Sequence, residues 1–494
     1  MKKASILFVL LLSCSLTTFS QGISQQLGTD IDGEAADNWS GQSVSMNAAG
    51  DRLAIGAHQN GIGFAGHVRV YDWNGTGWTQ VGNDIDGAYG DQFGYSVSMN
   101  AVGDRLAIGA PNGGLGDGIG RVRIYDWNGT AWVQLGADID GEEVNDDSGE
   151  SVSMNAAGDR LAIGAKFNDV NGLSSGHVRI YDWDGIAWVQ VGTDIDGNSG
   201  SFTGYSVSMN AVGDRLVTGA PNSNLGGGGG QARIYDWDGI AWVQVGVDIY
   251  GEASNDDSGY SVSMNSAGDR IAIGAPENDG GGSGSGHVRI YDWDGTAWTQ
   301  VGTDIDGESG NNRSGHSVSM NATGDRLAIG AINNSGPVFN SNTGHVRIYD
   351  WDGTAWVQYG ADIDGEAASD YSGHSVSINA AGDILAIGAF GNSNNAGHVR
   401  IYGECGNTGT DIQTACNTYD WIDGNTYTAS NNTAQWTLTN TAGCDSVVTL
   451  DLTINYANTG TDVQTACNTY EWIDGNTYTT SNNTAQWTLT NAAG

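Results

Sequence analysis

Apolar and polar residues alternate in short bursts along most of this chain, and the bursts return in a fixed order. In Tyr95-Ser96-Val97-Ser98-Met99, Val and Met alternate with Ser, the period-two pattern of a half-buried strand. The turn Asn100-Ala101-Val102-Gly103-Asp104 leads into Arg105-Leu106-Ala107-Ile108-Gly109-Ala110. There Leu and Ile face one side, while Ala and Gly let a neighbouring sheet approach on the other. A glycine-rich loop then leads to Val122-Arg123-Ile124-Tyr125-Asp126-Trp127, the hairpin signal Asn128-Gly129 and the returning strand Trp132-Val133-Gln134-Leu135. Trp127 and Trp132 flank that turn and are expected to pack across it.

The aspartate opening the second strand recurs at Asp51, Asp104, Asp159, Asp214, Asp269, Asp325 and Asp383, at spacings of 53 to 58 residues. Seven such units predict an all-β fold, a seven-bladed β-propeller of four-stranded blades over residues 21–403. The ends of this region fit one another. The seventh unit stops at Ile401-Tyr402-Gly403 without its last hairpin, and Gln25-Gln26-Leu27-Gly28-Thr29-Asp30 matches the end of a fourth strand. That segment would complete the seventh blade and remove an exposed edge. An open solenoid is the rival arrangement, and it leaves the matching ends unexplained.

Phe93-Gly94 and Gly109-Ala110-Pro111 resemble the FG-GAP repeat, which builds the propeller of integrin alpha subunits and of many bacterial surface proteins. The resemblance covers about residues 22–403. Most copies keep only the second glycine of the first motif, at Gly41, Gly149, Gly204, Gly259, Gly315 and Gly373. The resemblance implies calcium loops between the first two strands of a blade. Here that turn is Asn-Ala-Ala-Gly-Asp or a near copy, with too few oxygen ligands to wrap calcium, so the metal is not expected at that position.

Composition adds an address. The formal net charge is −39, and lysine occurs only at Lys2, Lys3 and Lys166. Such a field repels nucleic acid and excludes it as a partner. Residues 1–20 read as a signal peptide: Met1-Lys2-Lys3, an apolar stretch from Ala4 to Leu12, then small and polar residues. Two processing routes fit, ordinary cleavage after Ser20 or lipidation at Cys14 within Leu11-Leu12-Ser13-Cys14. Both place the mature protein outside the cytoplasm, secreted or on the cell surface, and no other segment is apolar enough to span a membrane.

Within a blade, the second-to-third and fourth-to-first loops share one face and vary between copies, whereas the other two turns barely change. Variable loops on a repeated scaffold are the natural place for a binding surface. The fourth-to-first loops are acidic and most begin Asp-Ile-Asp-Gly, giving the pairs Asp84 and Asp86, Asp138 and Asp140, Asp194 and Asp196, Asp304 and Asp306, and Asp362 and Asp364. Two readings of these pairs are open. The carboxylates face one way and hold calcium weakly, or the aspartates cap the turn while the isoleucine fills the gap between blades. Tyr250 replaces the second aspartate in one copy. His67, His177, His287, His345 and His398 recur at one strand start and read as scaffold. Asp292-Trp293-Asp294-Gly295-Thr296-Ala297-Trp298 resembles the Asp-box of sialidases, but its aspartate is out of register. No catalytic constellation departs singly from the repeat, so the chain is read as a non-enzyme.

Beyond Tyr402 a second repeat begins. Residues from Cys416 return from Cys467, with a period of 51. Two Thr/Asn-rich β modules are expected, 404–455 and 456–494, small and sandwich-like. They resemble surface repeats of secreted Bacteroidetes proteins, which implies a type IX route of export. A Cys416–Cys444 disulfide suits an oxidising compartment. The equivalent partner of Cys467 would fall just past Gly494, so the natural protein is expected to continue. The function expected is an exported surface or secreted binding or adhesion protein. It would offer its loop-rich acidic face to an extracellular protein or glycan. A spacer without a ligand and a glycan-active enzyme are the alternatives.

Overall fold

The computed structural model describes residues 22–488 except 114–117, 336–340, 405–407, 440–444 and 457–459. The signal segment, Cys14, Cys405 and Cys444 lie outside the described residues, and with Cys444 the expected disulfide. No helix among the described residues is long and apolar enough to cross a membrane. The chain divides into two compact units, Met1–Cys405 and Gly406–Gly494.

The first unit is a propeller-like set of seven antiparallel sheets, six of them each built from one repeat. In the second repeat the order is Ser96–Met99, Arg105–Ala110, Arg121–Trp127 and Trp132–Gln134. The outer strand then breaks and resumes as Ile139–Asp140, which pairs with the third strand again. The seventh sheet borrows its outer strand: Ile23–Gln26 and Ile31–Asp32 both pair with His398–Glu404.

Cores form between successive sheets. Ala54, Val68 and Ile85 of one repeat pack with Met99, Leu106 and Ile108 of the next. The serines that alternate with Val and Met have a different task. Ser96 Oγ donates to the Gly149 carbonyl of the following repeat, and Ser98 Oγ accepts from the Met154 amide. Equivalent bonds join every neighbouring pair of sheets, with Ser375 reaching Gly41 and the Met46 amide reaching Ser377. Such approach needs bare backbone. A Cβ on Gly109 would lie 2.1 Å from the Gly149 carbonyl oxygen, which explains why both motif glycines persist.

The turn after the first strand is held by an asparagine. Asn210 Oδ1 accepts from the amides of Gly213 and Arg215, and Nδ2 donates to Asp214 at 2.7 Å. The adjoining turns are linked in series by backbone bonds, Ala48 to Ala101, then Ala156, Ala211, Ser266, Ala322 and Ala380. The Ala380 amide donates to the Ala48 carbonyl, so the series returns to its first member.

On the outside, Arg105 forms a bidentate pair with Asp126 at 2.6 and 2.8 Å and donates to the Gly158 carbonyl of the next repeat. Trp127 and Trp132 pack across their hairpin with ring centroids 5.5 Å apart, and Trp132 Nε1 donates to the Val81 carbonyl of the preceding repeat. In the seventh repeat the ion pair is lost as a unit, with Ile384 facing Gly403.

In the second unit, Thr408–Cys416 pairs in parallel with Asp445–Asn455, which also takes Gln435–Thr439 antiparallel. Its small core gathers Trp421, Leu450, Leu452 and Ile454. Two short hairpins, Tyr419–Asp420 with Thr426–Tyr427 and Tyr470–Glu471 with Thr477–Tyr478, complete it. Among the described residues this is one mixed sheet with hairpins, where the sequence led us to expect sandwich-like modules.

Asn210 makes three bonds in a buried turn, and Ser208 makes one, to the Met264 amide. Asn210→Ala should therefore lower unfolding free energy by about 3 kcal/mol and Ser208→Ala by about 1 kcal/mol, read from denaturant titration. A loss below about 0.5 kcal/mol for Asn210→Ala, the range of an ordinary surface change, would remove the asparagine from this role.

Candidate binding face

The two variable loops of each repeat are stitched into one layer. The Gly90 amide donates to Gly63 and the Gln92 amide to Phe64, both at 3.0 Å. A parallel bridge joins Gly66 to Phe93, and equivalents recur through to Ser40 with Gly397. Each bridge couples the second-to-third loop of one repeat to the segment entering the next.

This layer converges on a cluster that departs from the repeat. Three positions per repeat meet there. The first precedes the motif glycine by two: Trp39, Gln92, Asp147, Phe202, Asp257, Arg313 and Tyr371. All seven are non-glycine residues in the left-handed region, with φ between 53° and 60°, a conformation that costs about 1 kcal/mol or more per residue. It lets consecutive amides, as in Gln92 and Phe93, bond to the neighbouring loop. The second position follows the glycine: Gln42, Tyr95, Glu150, Tyr205, Tyr260, His316 and His374. The third follows the second strand and includes His58, Lys166, Ile332 and Phe390.

Their side chains interlock. Lys166 Nζ donates to Glu150 at 2.5 Å and Tyr95 Oη to the same carboxylate at 3.2 Å. Tyr205 packs on Tyr260, Tyr260 on His316, and His316 on His374, at centroid separations of 4.8 to 4.9 Å. Phe390 stacks between Trp39 and Tyr371, at 4.8 and 5.2 Å, and meets His374 edge-on. Burial pushes His374 down to about 4 and His58 down to about 3, so both imidazoles are neutral at pH 7. Burial, then the Glu150 carboxylate, pushes Asp147 up to about 6. Burial, then Glu277, does the same to Asp257. A shallow polar groove of about 460 Å³ opens beside Asp257, Glu277 and Arg313. Sequence reading missed this cluster because its members share no motif. The usable signal was their fixed offset from the motif glycine.

The Asp-Ile-Asp pairs divide their labour. The first aspartate is held by a glutamine four residues earlier: Gln80 Nε2 donates to Asp84 Oδ1 at 2.7 Å, and Gln190, Gln300 and Gln358 do the same to Asp194, Asp304 and Asp362. The free Oδ2 points at a histidine of the same sheet. His67 Nδ1 lies 3.7 Å from Asp84 and 3.8 Å from Glu34, a residue of the loop entering that sheet. Glu142-His177-Asp194, Glu252-His287-Asp304, Glu308-His345-Asp362 and Glu366-His398-Asp30 repeat the arrangement. The second aspartate stands apart. The carboxylates of Asp86, Asp140, Asp306 and Asp364 are exposed, while the main-chain carbonyls of Asp140, Asp306 and Asp364 accept from Arg179, Arg347 and Arg400. Tyr250 serves as well there, since its carbonyl accepts from Arg289. Burial, then Asp194, raises the carboxyl of Asp196. Asp138 faces Arg121 and Arg123. The two aspartates of a pair thus point apart, the first towards a histidine or arginine of its own sheet and the second outwards. The isoleucine between them does fill the gap between sheets, as Ile139 does. The histidines, read from sequence as scaffold alone, stand at the centre of these clusters.

No family model matches the chain, and no curated protein matches it.

Asp147 favours its neutral form in the fold, so the native state binds the extra proton between the unfolded value of 3.8 and about 6. Its contribution is fully present below pH 3.8 and is lost as pH rises through about 6. Asp147→Asn should therefore be more stable than the parent at pH 7.5, with the gap closing towards pH 4. Thermal midpoints across that range test it; a variant less stable at pH 7.5 would refute the assignment.

Proposed function

We propose that this chain is an exported, non-catalytic binding or adhesion protein that engages an extracellular protein or glycan through its loop-rich face. The observation that carries this reading is the convergence of all three off-pattern positions at the centre of that face. The left-handed backbone at these seven positions is explained by its bonds to the neighbouring loop, but the change of side chain at each is not, and a face that meets a partner accounts for it. The half-buried rings of Trp39 and Tyr371, held on either side of Phe390, offer flat apolar surface next to hydrogen-bonding groups, which suits a sugar ring or a protein loop. In the variable loops of the same face, Ile62, Phe64, Tyr89, Val170 and Leu173 are exposed. The FG-GAP resemblance of Phe93-Gly94 and Gly109-Ala110-Pro111 points the same way.

A glycan-active enzyme is the second reading, favoured by one feature: Glu150, Lys166, Tyr95 and the raised Asp147 are gathered in one off-pattern cluster. The bonds among them argue for structure over chemistry, since Glu150 is committed to Lys166 and Tyr95.

Binding of the full chain to cells, matrix and glycan arrays tests both. Trp39→Ala with Tyr371→Ala should weaken binding at least tenfold, about 1.4 kcal/mol. Ile186→Thr, on the opposite face, should leave it unchanged. Unaltered binding by the double variant would defeat the face assignment. Turnover of an arrayed glycan that is lost in Glu150→Gln, with binding kept, would establish the enzyme instead.

A further inference from the structure

We propose that the five Glu–His–Asp clusters are sites for a divalent transition metal of the zinc class, each tying an incoming loop to the sheet it enters. This inference goes beyond the binding reading and does not depend on the loop face having a partner.

Geometry comes first. In each cluster one imidazole nitrogen and two carboxylate oxygens lie within 4.8 Å of one another. The His Nδ1 to Asp distances are 3.5 to 3.7 Å, and those to Glu 3.8 to 4.0 Å. Donors at about 2.1 Å from a tetrahedral ion sit about 3.4 Å apart, so the histidine–carboxylate separations need only a few tenths of an ångström of movement, the half-exposed glutamate swings in to meet the aspartate, and water takes the fourth position. These separations are too long for hydrogen bonds. One nitrogen with two carboxylates suits a borderline metal better than calcium, which prefers an all-oxygen shell.

A second, independent observation points to a ligand. The side chains of His177, His287 and His345 are 1% exposed, and neither ring nitrogen of any of them makes a hydrogen bond. A buried imidazole with both nitrogens unpartnered is rare, and here it recurs three times with Nδ1 aimed between two carboxylates. The glutamine that holds each aspartate leaves Oδ2 turned inward, the orienting role that outer partners play at metal centres. Glu remains partly open to water, which gives an ion a way in. Arg179 and Arg289 approach the other oxygen of Glu142 and Glu252 at 3.9 Å and leave Oε2 to the cluster.

The chain supplies its own comparison. Glu and His occur together in five repeats. In the two others both are replaced, Ala88 with Arg121 and Asn198 with Gln231. In the first of these, Arg121 reaches Asp138 and so supplies the positive charge directly. The glutamate is kept only where the histidine is.

The test is zinc binding by the full chain after stripping with chelator, measured by calorimetry and by metal analysis. We expect saturable binding and a rise in thermal midpoint with zinc. The double variant E142N/H177Q copies the Asn198 and Gln231 pairing that the fourth repeat already folds with, and it should bind one zinc fewer per chain. The difference between parent and variant, not the total, is the readout, because the tail carries cysteines. X-ray absorption of the zinc-loaded parent needs no variant and should show a nitrogen and oxygen shell with imidazole scattering. Absence of zinc binding at millimolar concentration, an unchanged stoichiometry in the double variant, a shell without imidazole, or calcium binding at the same sites with equal affinity would each overturn the proposal.

Discussion

The repeated unit depends on one interaction, the contact of each first strand with the next through serine side chains and bare glycine backbone. The serines of Ser-Val-Ser-Met are half-buried rather than exposed. They bond to the carbonyl and the amide of the neighbouring repeat, which satisfies polar groups that the close approach would otherwise strand. Valine and methionine between them fill the hydrophobic gap. The asparagine turns, the glycine pairs and the tryptophan hairpins all add to this link from one sheet to its neighbour.

Residues that act together also disappear together. Arg105 and Asp126 have equivalents in every repeat but the seventh, where Ile384 faces Gly403. Glu404 then reaches back to Arg326 and Tyr359 of the sixth repeat, so the exposed end of the ladder is sealed by a residue outside the pattern. The paired change of Ala88 with Arg121 follows the same logic on the other face.

The strands, their order and the borrowed outer strand were legible in the sequence because each carries a local signal, alternation for Ser96–Met99 and a turn dipeptide for Asn128-Gly129. The close packing of Trp127 and Trp132 followed from the same turn. The pairing of Ile23–Gln26 with His398–Glu404 could be anticipated because both ends were incomplete in complementary ways. The site was much less legible. The aspartate pairs looked alike in sequence, yet a break in the outer strand turns Asp84 inwards and leaves Asp86 outside. Repetition also hid His67 and its equivalents, since a residue that recurs reads as framework. The cluster was invisible for the opposite reason: Trp39 and Phe390, or Tyr95 and Glu150, become neighbours only when residues of different repeats are brought together. The parallel pairing of Thr408–Cys416 with Asp445–Asn455 had no local cue, because strand direction is set by tertiary contacts.

The left-handed position shared by Trp39, Gln92, Asp147, Phe202, Asp257, Arg313 and Tyr371 has a consequence for descent. Its backbone cost falls on any side chain with a Cβ, and here aromatic, acidic, basic and amide residues all accept it. Exchange among such residues therefore leaves the backbone cost of the position nearly level while it rewrites the chemistry presented on the face. A lineage can change what this face presents by single substitutions in seven equivalent sockets, without first acquiring a compensating backbone change elsewhere.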